Sequence, residues 1–168
     1  LPDLYELFFN YKWTWEKMLE FAKALTKDID GDGIIDQWGI GGAAQRLERA
    51  FVISNNAHYI DVSDKDNPKF ALTHPNAIEA LQAHQDFILK HQVVSMTPEG
   101  APWDYNVQSF IEGKLGMLVG QIWKIDQIKE DMKDEYGIVL FPMGPKAKEY
   151  ASELTGHLVR TMPITVKN

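Results

Sequence analysis

Four carboxylates fall within nine residues in Asp28-Ile29-Asp30-Gly31-Asp32-Gly33-Ile34-Ile35-Asp36. Like charges so dense repel one another unless a cation gathers them. Asp28, Asp30 and Asp32 alternate, so their oxygens can point at one centre. Gly33 permits a sharp turn, Ile34 offers its backbone carbonyl, and Asp36 stands at the ninth position. These are the first nine positions of a calcium-binding loop. An all-oxygen ligand set suits a hard cation and not zinc. The twelfth position departs: Gly39 stands where a sensor loop carries a bidentate Glu. The spacing therefore predicts a structural calcium held by Asp28, Asp30, Asp32, Ile34 and Asp36, not a regulatory switch. The competing reading is an exposed polar turn with no ion.

Other chemistries have weaker signals. Gly39-Ile40-Gly41-Gly42-Ala43-Ala44 fits GxGxxA, but Asp36-Gln37-Trp38 precedes it where a dinucleotide fingerprint needs a buried strand. The run is expected to be a flexible turn. Gly113-Lys114 lacks both the earlier Gly and the following Ser or Thr of a phosphate loop. His58, His74, His84, His91 and His157 show no customary metal spacing and are expected to pack or face solvent. There is no cysteine, which excludes thiol catalysis, disulfides and cysteine-based zinc sites. No GxSxG elbow occurs. A carboxylate pair for glycoside hydrolysis stays open, because carboxylates are abundant and spatial pairing is not visible in sequence.

The chain has 168 residues and a formal charge of −7. That length supports one domain with its own core. No face-sized cluster of Lys and Arg appears, so nucleic acid is not expected as a partner. No apolar run approaches the ~20 residues of a membrane span. The chain opens on Leu1-Pro2-Asp3 without a signal peptide, and is expected to be a piece of a longer protein.

Helical spacing of Trp15, Met18, Leu19, Ala22 and Leu25 predicts a helix over 15–27, with Thr14 as cap and Glu16 in the first turn. Residues 1–12 are expected to be a connecting segment. Trp38–Gly41 is a short extended piece, and Leu47–Ile53 a helical turn or two. Lys69–Leu72 predicts a strand, and Thr73 caps a helix over 74–91. Asp104 caps a short helix through Phe110. Leu115–Val119 predicts a buried strand, 121–134 a helix, and Tyr136–Phe141 and Leu158–Val166 two more extended segments. Short strands between helices give an α/β layer structure with a small sheet.

The order of local segments then carries a resemblance. Lys12-Trp13-Thr14-Trp15-Glu16-Lys17, the Asp/Gly loop into Gln37-Trp38-Gly39, and Lys69-Phe70-Ala71-Leu72 before Ala77-Ile78-Glu79-Ala80-Leu81 come first. Ala101-Pro102-Trp103, Phe110-Ile111-Glu112-Gly113-Lys114-Leu115-Gly116-Met117, Gly120 to Trp123, and Tyr136-Gly137-Ile138-Val139 into Phe141-Pro142-Met143-Gly144-Pro145 follow. Together they resemble the bacterial extracellular solute-binding proteins of family 1. The resemblance implies a two-lobed periplasmic-binding-protein (type II) clamshell, of which residues 1–168 would be a single domain, part of the C-terminal lobe. It implies a secreted or lipid-anchored protein that binds a mono- or oligosaccharide between its lobes. That protein would hand the sugar to an ABC permease without catalysis, and is expected to be a monomer.

The resemblance also points to ligand-binding residues. Trp123 corresponds to a family position that often stacks on sugar, and Gly120 would let the backbone approach the ligand. Trp103, in a Pro-flanked loop, is the next candidate; Asn55 and Asn56 are expected to be turn residues. One lobe offers half the contacts, so the isolated chain is expected to bind sugar weakly or not at all; nanomolar affinity would contradict this. The alternatives are a calcium-stabilised fragment of a glycoside-processing enzyme and a dockerin-type calcium module. A dockerin would need a second copy of the loop. An enzyme would hydrolyse an aryl glycoside; a binding protein would not.

Overall fold

The computed structural model describes residues 1–153. The segment 158–166 and His157 lie outside them. Along the chain run α1 (Leu4–Phe9), α2 (Trp15–Leu25), β1 (Trp38–Gly42), α3 (Ala44–Ser54), β2 (Ile60–Asp61), β3 (Lys69–Phe70), α4 (Pro75–Gln85), β4 (Val94–Ser95), α5 (Tyr105–Ile111), β5 (Leu115–Val119) and α6 (Ile125–Asp131). A parallel sheet of order β4-β1-β5 lies at the centre; Ile40 pairs with Val94 on one side and Met117 on the other. β2 and β3 form a small antiparallel ribbon. The α/β class with a small sheet is as expected.

The glycine-rich run carries the central strand: the expected extended piece at Trp38–Gly41 is β1, and the flexible turn expected over 39–44 is not formed. Its glycines answer to packing. A Cβ on Gly39 would strike the backbone of Ala22 in α2, and one on Gly41 would strike the Leu115 side chain. One on Gly42 would lie 2.7 Å from the Val119 carbonyl oxygen. Tertiary contact has overridden the low strand preference of glycine.

Phe51 of α3 is fully buried at the centre of the core. Its ring meets those of Trp15 at 5.0 Å, Phe87 at 5.1 Å, Phe141 at 5.2 Å and His84 at 5.6 Å. Asn55, also buried, fastens three pieces together. Its Nδ2 donates to Asn76 O and Glu79 Oε2, and its Oδ1 accepts from Lys146 N. It closes the C-terminal end of α3, so its polar atoms are occupied with structure.

Several boundaries moved for local reasons. Residues 1–12 contain α1, because Asp3 Oδ1 accepts from both Tyr5 N and Glu6 N. His74, not Thr73, caps α4, through Nδ1 and Asn76 N. The expected 74–91 helix widens into a π turn at Asp86–Lys90. Residues 121–134 begin as a 3-10 turn, Ile122–Lys124, and α6 stops at Asp131. Asp104 precedes α5 without a side-chain capping bond. Tyr136–Phe141 is not a strand. The segment beyond it is clipped by Trp15 N donating to Met143 O and Met143 N donating to Trp13 O.

The half-buried His84 presents a Nε2 without a partner among the described residues. Burial holds its pKa below the usual histidine value, with the nearby Glu48 opposing. Its folded pKa is thus lower than its unfolded one, so its contribution is intact above ~6.5 and declines as the pH falls below it toward the depressed folded value. Urea midpoints of the wild type should therefore fall between pH 7 and pH 5 more steeply than those of His84→Leu. Parallel pH profiles would contradict this.

Candidate functional site

The three strands of the parallel sheet point their C-terminal ends at one place. Ala43 follows β1, Thr97 stands two residues beyond β4, and Gly120 follows β5. All three line a pair of adjoining clefts, of ≈ 390 Å³ and ≈ 250 Å³, which share Ala43, Arg46, Trp103 and Asn106. Open α/β sheets place ligands at this carboxyl edge, where loops can vary without disturbing the strands.

Two tryptophans stand over the clefts. Trp103 comes from the loop before α5 and Trp123 from the 3-10 turn after β5. Their rings stack at 5.9 Å with an interplanar angle of 25°. Trp103 is 72% and Trp123 54% exposed, so neither is a core residue. An indole left this open to water presents an apolar face for a partner. Trp123 Nε1 donates to Gln121 Oε1 at 2.8 Å, which holds the ring, and Ile122 is exposed beside it. The Lys124 ammonium lies 4.4 Å from the Trp103 ring centre and 5.1 Å from that of Trp123, within cation–π range of both. Burial lowers the Lys124 pKa; Asp104 pulls it back, and Arg46 pushes it further down.

At Gly120 a Cβ would meet only Leu118 side-chain carbons, at 3.7 and 3.9 Å. Packing within the described residues does not demand glycine there; its effect is to leave backbone bare on the cleft. Asn106 donates through Nδ2 to Thr97 Oγ1 at 2.9 Å. Its buried Oδ1 has no donor among the described residues. A ligand hydroxyl would supply one, and such an orphaned acceptor is costly otherwise. The site thus offers aromatic faces, an amide, bare backbone and cations. It can hold a small polar molecule by its C–H face and its hydroxyls.

The acidic loop lies elsewhere, between α2 and β1. Asp28, Asp30 and Asp36 are exposed and bring one carboxylate oxygen each within 4.8 Å of one another. Gly33 takes the positive φ of 90° that the turn requires. Asp28 accepts from Gly31 N and Gly33 N, and Asp36 Oδ2 from Ile29 N at 2.6 Å. Asp32 is not in the converging set; its Oδ1 accepts from Ile34 N. Three of the five expected ligands are gathered as hard oxygen donors, a set that fits a hard cation. Asp32 does not join that set.

Among the residues that line the clefts, Trp103, Trp123 and Gly120 were expected from the sequence, and Arg46, Asn106 and Lys124 were not. The extended piece expected at Trp38–Gly41 already carried a signal for Arg46, which lies four residues beyond the end of β1, at its carboxyl edge. Lys124 had a signal in its adjacency to Trp123. Asn106 had none, since nothing local marks an amide as facing a cleft.

The sequence matches the family model described as bacterial extracellular solute-binding protein over residues 2–166. Its fold is similar to that of the maltose/maltodextrin-binding domain MalE from Bdellovibrio bacteriovorus bound to maltotriose. The TM-score is 0.67 at 20% identity, over 82% of this chain and 35% of that one. UspC of M. tuberculosis gives 0.63 at 21%, over 79% of this chain and 35% of that one. An ABC transporter solute-binding protein from Thermotoga lettingae, bound to α-D-tagatose, gives 0.59 at 20%, over 77% and 33%. The chain thus spans about a third of the length of these structures. No curated protein matches.

Proposed function

The chain belongs to the bacterial extracellular solute-binding proteins, and on that premise we propose that it forms part of the C-terminal lobe of a two-lobed protein that captures a sugar or oligosaccharide for an ABC importer. The observation that carries this is the stacked Trp103–Trp123 pair at the carboxyl edge of the sheet. A pyranose has an apolar C–H face and a rim of hydroxyls. The indoles cover the first, and Asn106 and the bare backbone at Gly120 meet the second. Two of the similar structures hold sugars, maltotriose in one and tagatose in the other. Closure of a second lobe over the clefts would desolvate the ligand and complete its hydrogen bonds. The role needs no bond-making residues, in keeping with a family that is typically non-catalytic. The family is extracellular, and no helix among the described residues is long and apolar enough to cross a membrane; a lipid anchor in the parent protein belongs to the same reading. The ABC permease would be its membrane partner, met as a monomer.

The acidic loop fits the same reading as a structural calcium site. Asp28, Asp30 and Asp36 would hold the ion, with Asp32 and the Ile34 carbonyl completing it. The ion would tie the end of α2 to the start of β1.

A thermal-shift screen of the full two-lobed protein against a saccharide panel, with and without calcium, tests both parts. A true ligand at a hundred times its Kd adds about 2.7 kcal/mol, a rise of several degrees in Tm. Silence across the panel would move the ligand class away from sugars. For the loop, calorimetry on chelator-stripped protein should show heat with calcium, lost in Asp28→Asn; no heat in the wild type would remove the metal.

A further inference from the structure

The two clefts have an unusual charge for this chain. The protein carries a formal charge of −7, yet neither cleft has an Asp or Glu among its described lining residues. Three cations line them instead: Arg46 faces both, Arg49 one and Lys124 the other. Arg49 is answered by Glu153 at 3.1 Å. Arg46 is half-buried and forms no salt bridge among the described residues. Lys124 likewise has no carboxylate within salt-bridge distance among them, although Asp104 acts on it from further off. Its ammonium is spent on two indole faces and the Trp103 carbonyl.

Arg46 and Lys124 thus share the second cleft with no carboxylate in its described lining, and the one carboxylate that acts on Lys124, Asp104, does so without an ion pair. An anion in the cleft would pair with a guanidinium that is already partly desolvated and has no salt-bridge partner among the described residues. α3 adds to the same field. It opens at Ala43, which lines both clefts, with no capping side chain and no acidic residue in its first turn. Its positive end therefore faces the cleft uncompensated. A neutral sugar would leave this arrangement unused.

We propose that the solute is an anionic saccharide, stacked on Trp103 and Trp123 and carrying a carboxylate, sulfate or phosphate that Arg46 and Lys124 receive. This rests on the sugar-binding reading above and narrows it. Arg46 forms the bidentate contact that a planar or tetrahedral oxyanion accepts. Lys124 shifts from the indole faces to the ligand, which frees an aromatic face for the ring.

The test is calorimetry on the full two-lobed protein with matched ligands differing in charge. Trigalacturonate is compared with its methyl ester, which keeps the rings and removes the charge. Galactose 6-sulfate and glucose 6-phosphate, each against the parent sugar, distinguish the anion. The acid of at least one pair should bind ten-fold or more tighter than its neutral partner, and that preference should shrink as salt rises. Arg46→Gln should bring the ratio toward one, and Arg46→Lys should restore part of it. Neutral partners binding as tightly as every acid would overturn the anionic solute while leaving a sugar-binding protein. No binding by any saccharide, charged or neutral, would overturn both. A charge preference that Arg46→Gln and Lys124→Gln each leave intact would also overturn it, because the anion would then be received elsewhere.

Discussion

Phe51→Ala should cost about 3–5 kcal/mol of folding stability. The ring is fully buried, and four aromatic side chains surround it at 5.0 to 5.6 Å. Those neighbours come from α2, from α4 and the π turn after it, and from the segment before Met143. They are held by separate parts of the chain, so they cannot all move inward to fill the void. Both the lost burial and the residual cavity therefore count. Urea denaturation should show a lower midpoint with an unchanged slope, and calorimetric Tm should fall by roughly 6–20 °C. Phe51→Leu, which keeps most of the volume, should cost well under half as much. A loss below about 1 kcal/mol in the alanine variant would mean that the core is not organised around this ring.

Trp123→Ala should weaken saccharide binding by the full two-lobed protein about 30-fold or more, the level of an interface hot spot near 2 kcal/mol. The exposed indole stacks on Trp103 and carries one of the Lys124 cation–π contacts, so its loss removes an apolar face and loosens two neighbours. Trp123→Phe should retain most of the affinity, since a smaller π face remains. Ile122→Ala, at an exposed neighbour, should change little. The protein should stay folded in each case, because position 123 is outside the core. Wild-type affinity in Trp123→Ala would place the ligand away from the aromatic pair.

What could be read from sequence was what is local. The cap at Thr14, the helix it opens, the strand Leu115–Val119 and the turn at Gly33 all follow from spacing within a dozen residues. The fate of the glycines at 39, 41 and 42 could not be read that way, because it is set by Ala22, Leu115 and Val119. The same holds for Tyr136–Phe141: its residues favour a strand, but no neighbouring strand among the described residues receives it. At the site, the aromatic candidates came from resemblance, while their pairing across twenty positions came from the fold. The basic wall stayed hidden because its members are scattered singly through an acidic sequence. The acidic loop was the reverse case: its composition was plain, but which of its carboxylates converge depends on hydrogen bonds to its own backbone.

The sheet order also bears on how the protein is made. The central strand is the first of the three to leave the ribosome, and Trp38 pairs with Leu115. At bacterial synthesis rates of ~5–20 residues per second, the strand waits roughly 4–15 s for that partner. During the wait it is a glycine-rich stretch whose β5 edge is open, with α2, which packs on Gly39 through Ala22, already made to shield one face. Pairing of such wide sequence separation is also slow once the chain is complete. The window in which this protein is most vulnerable to proteases and to association with other nascent chains thus closes only when β5 has emerged.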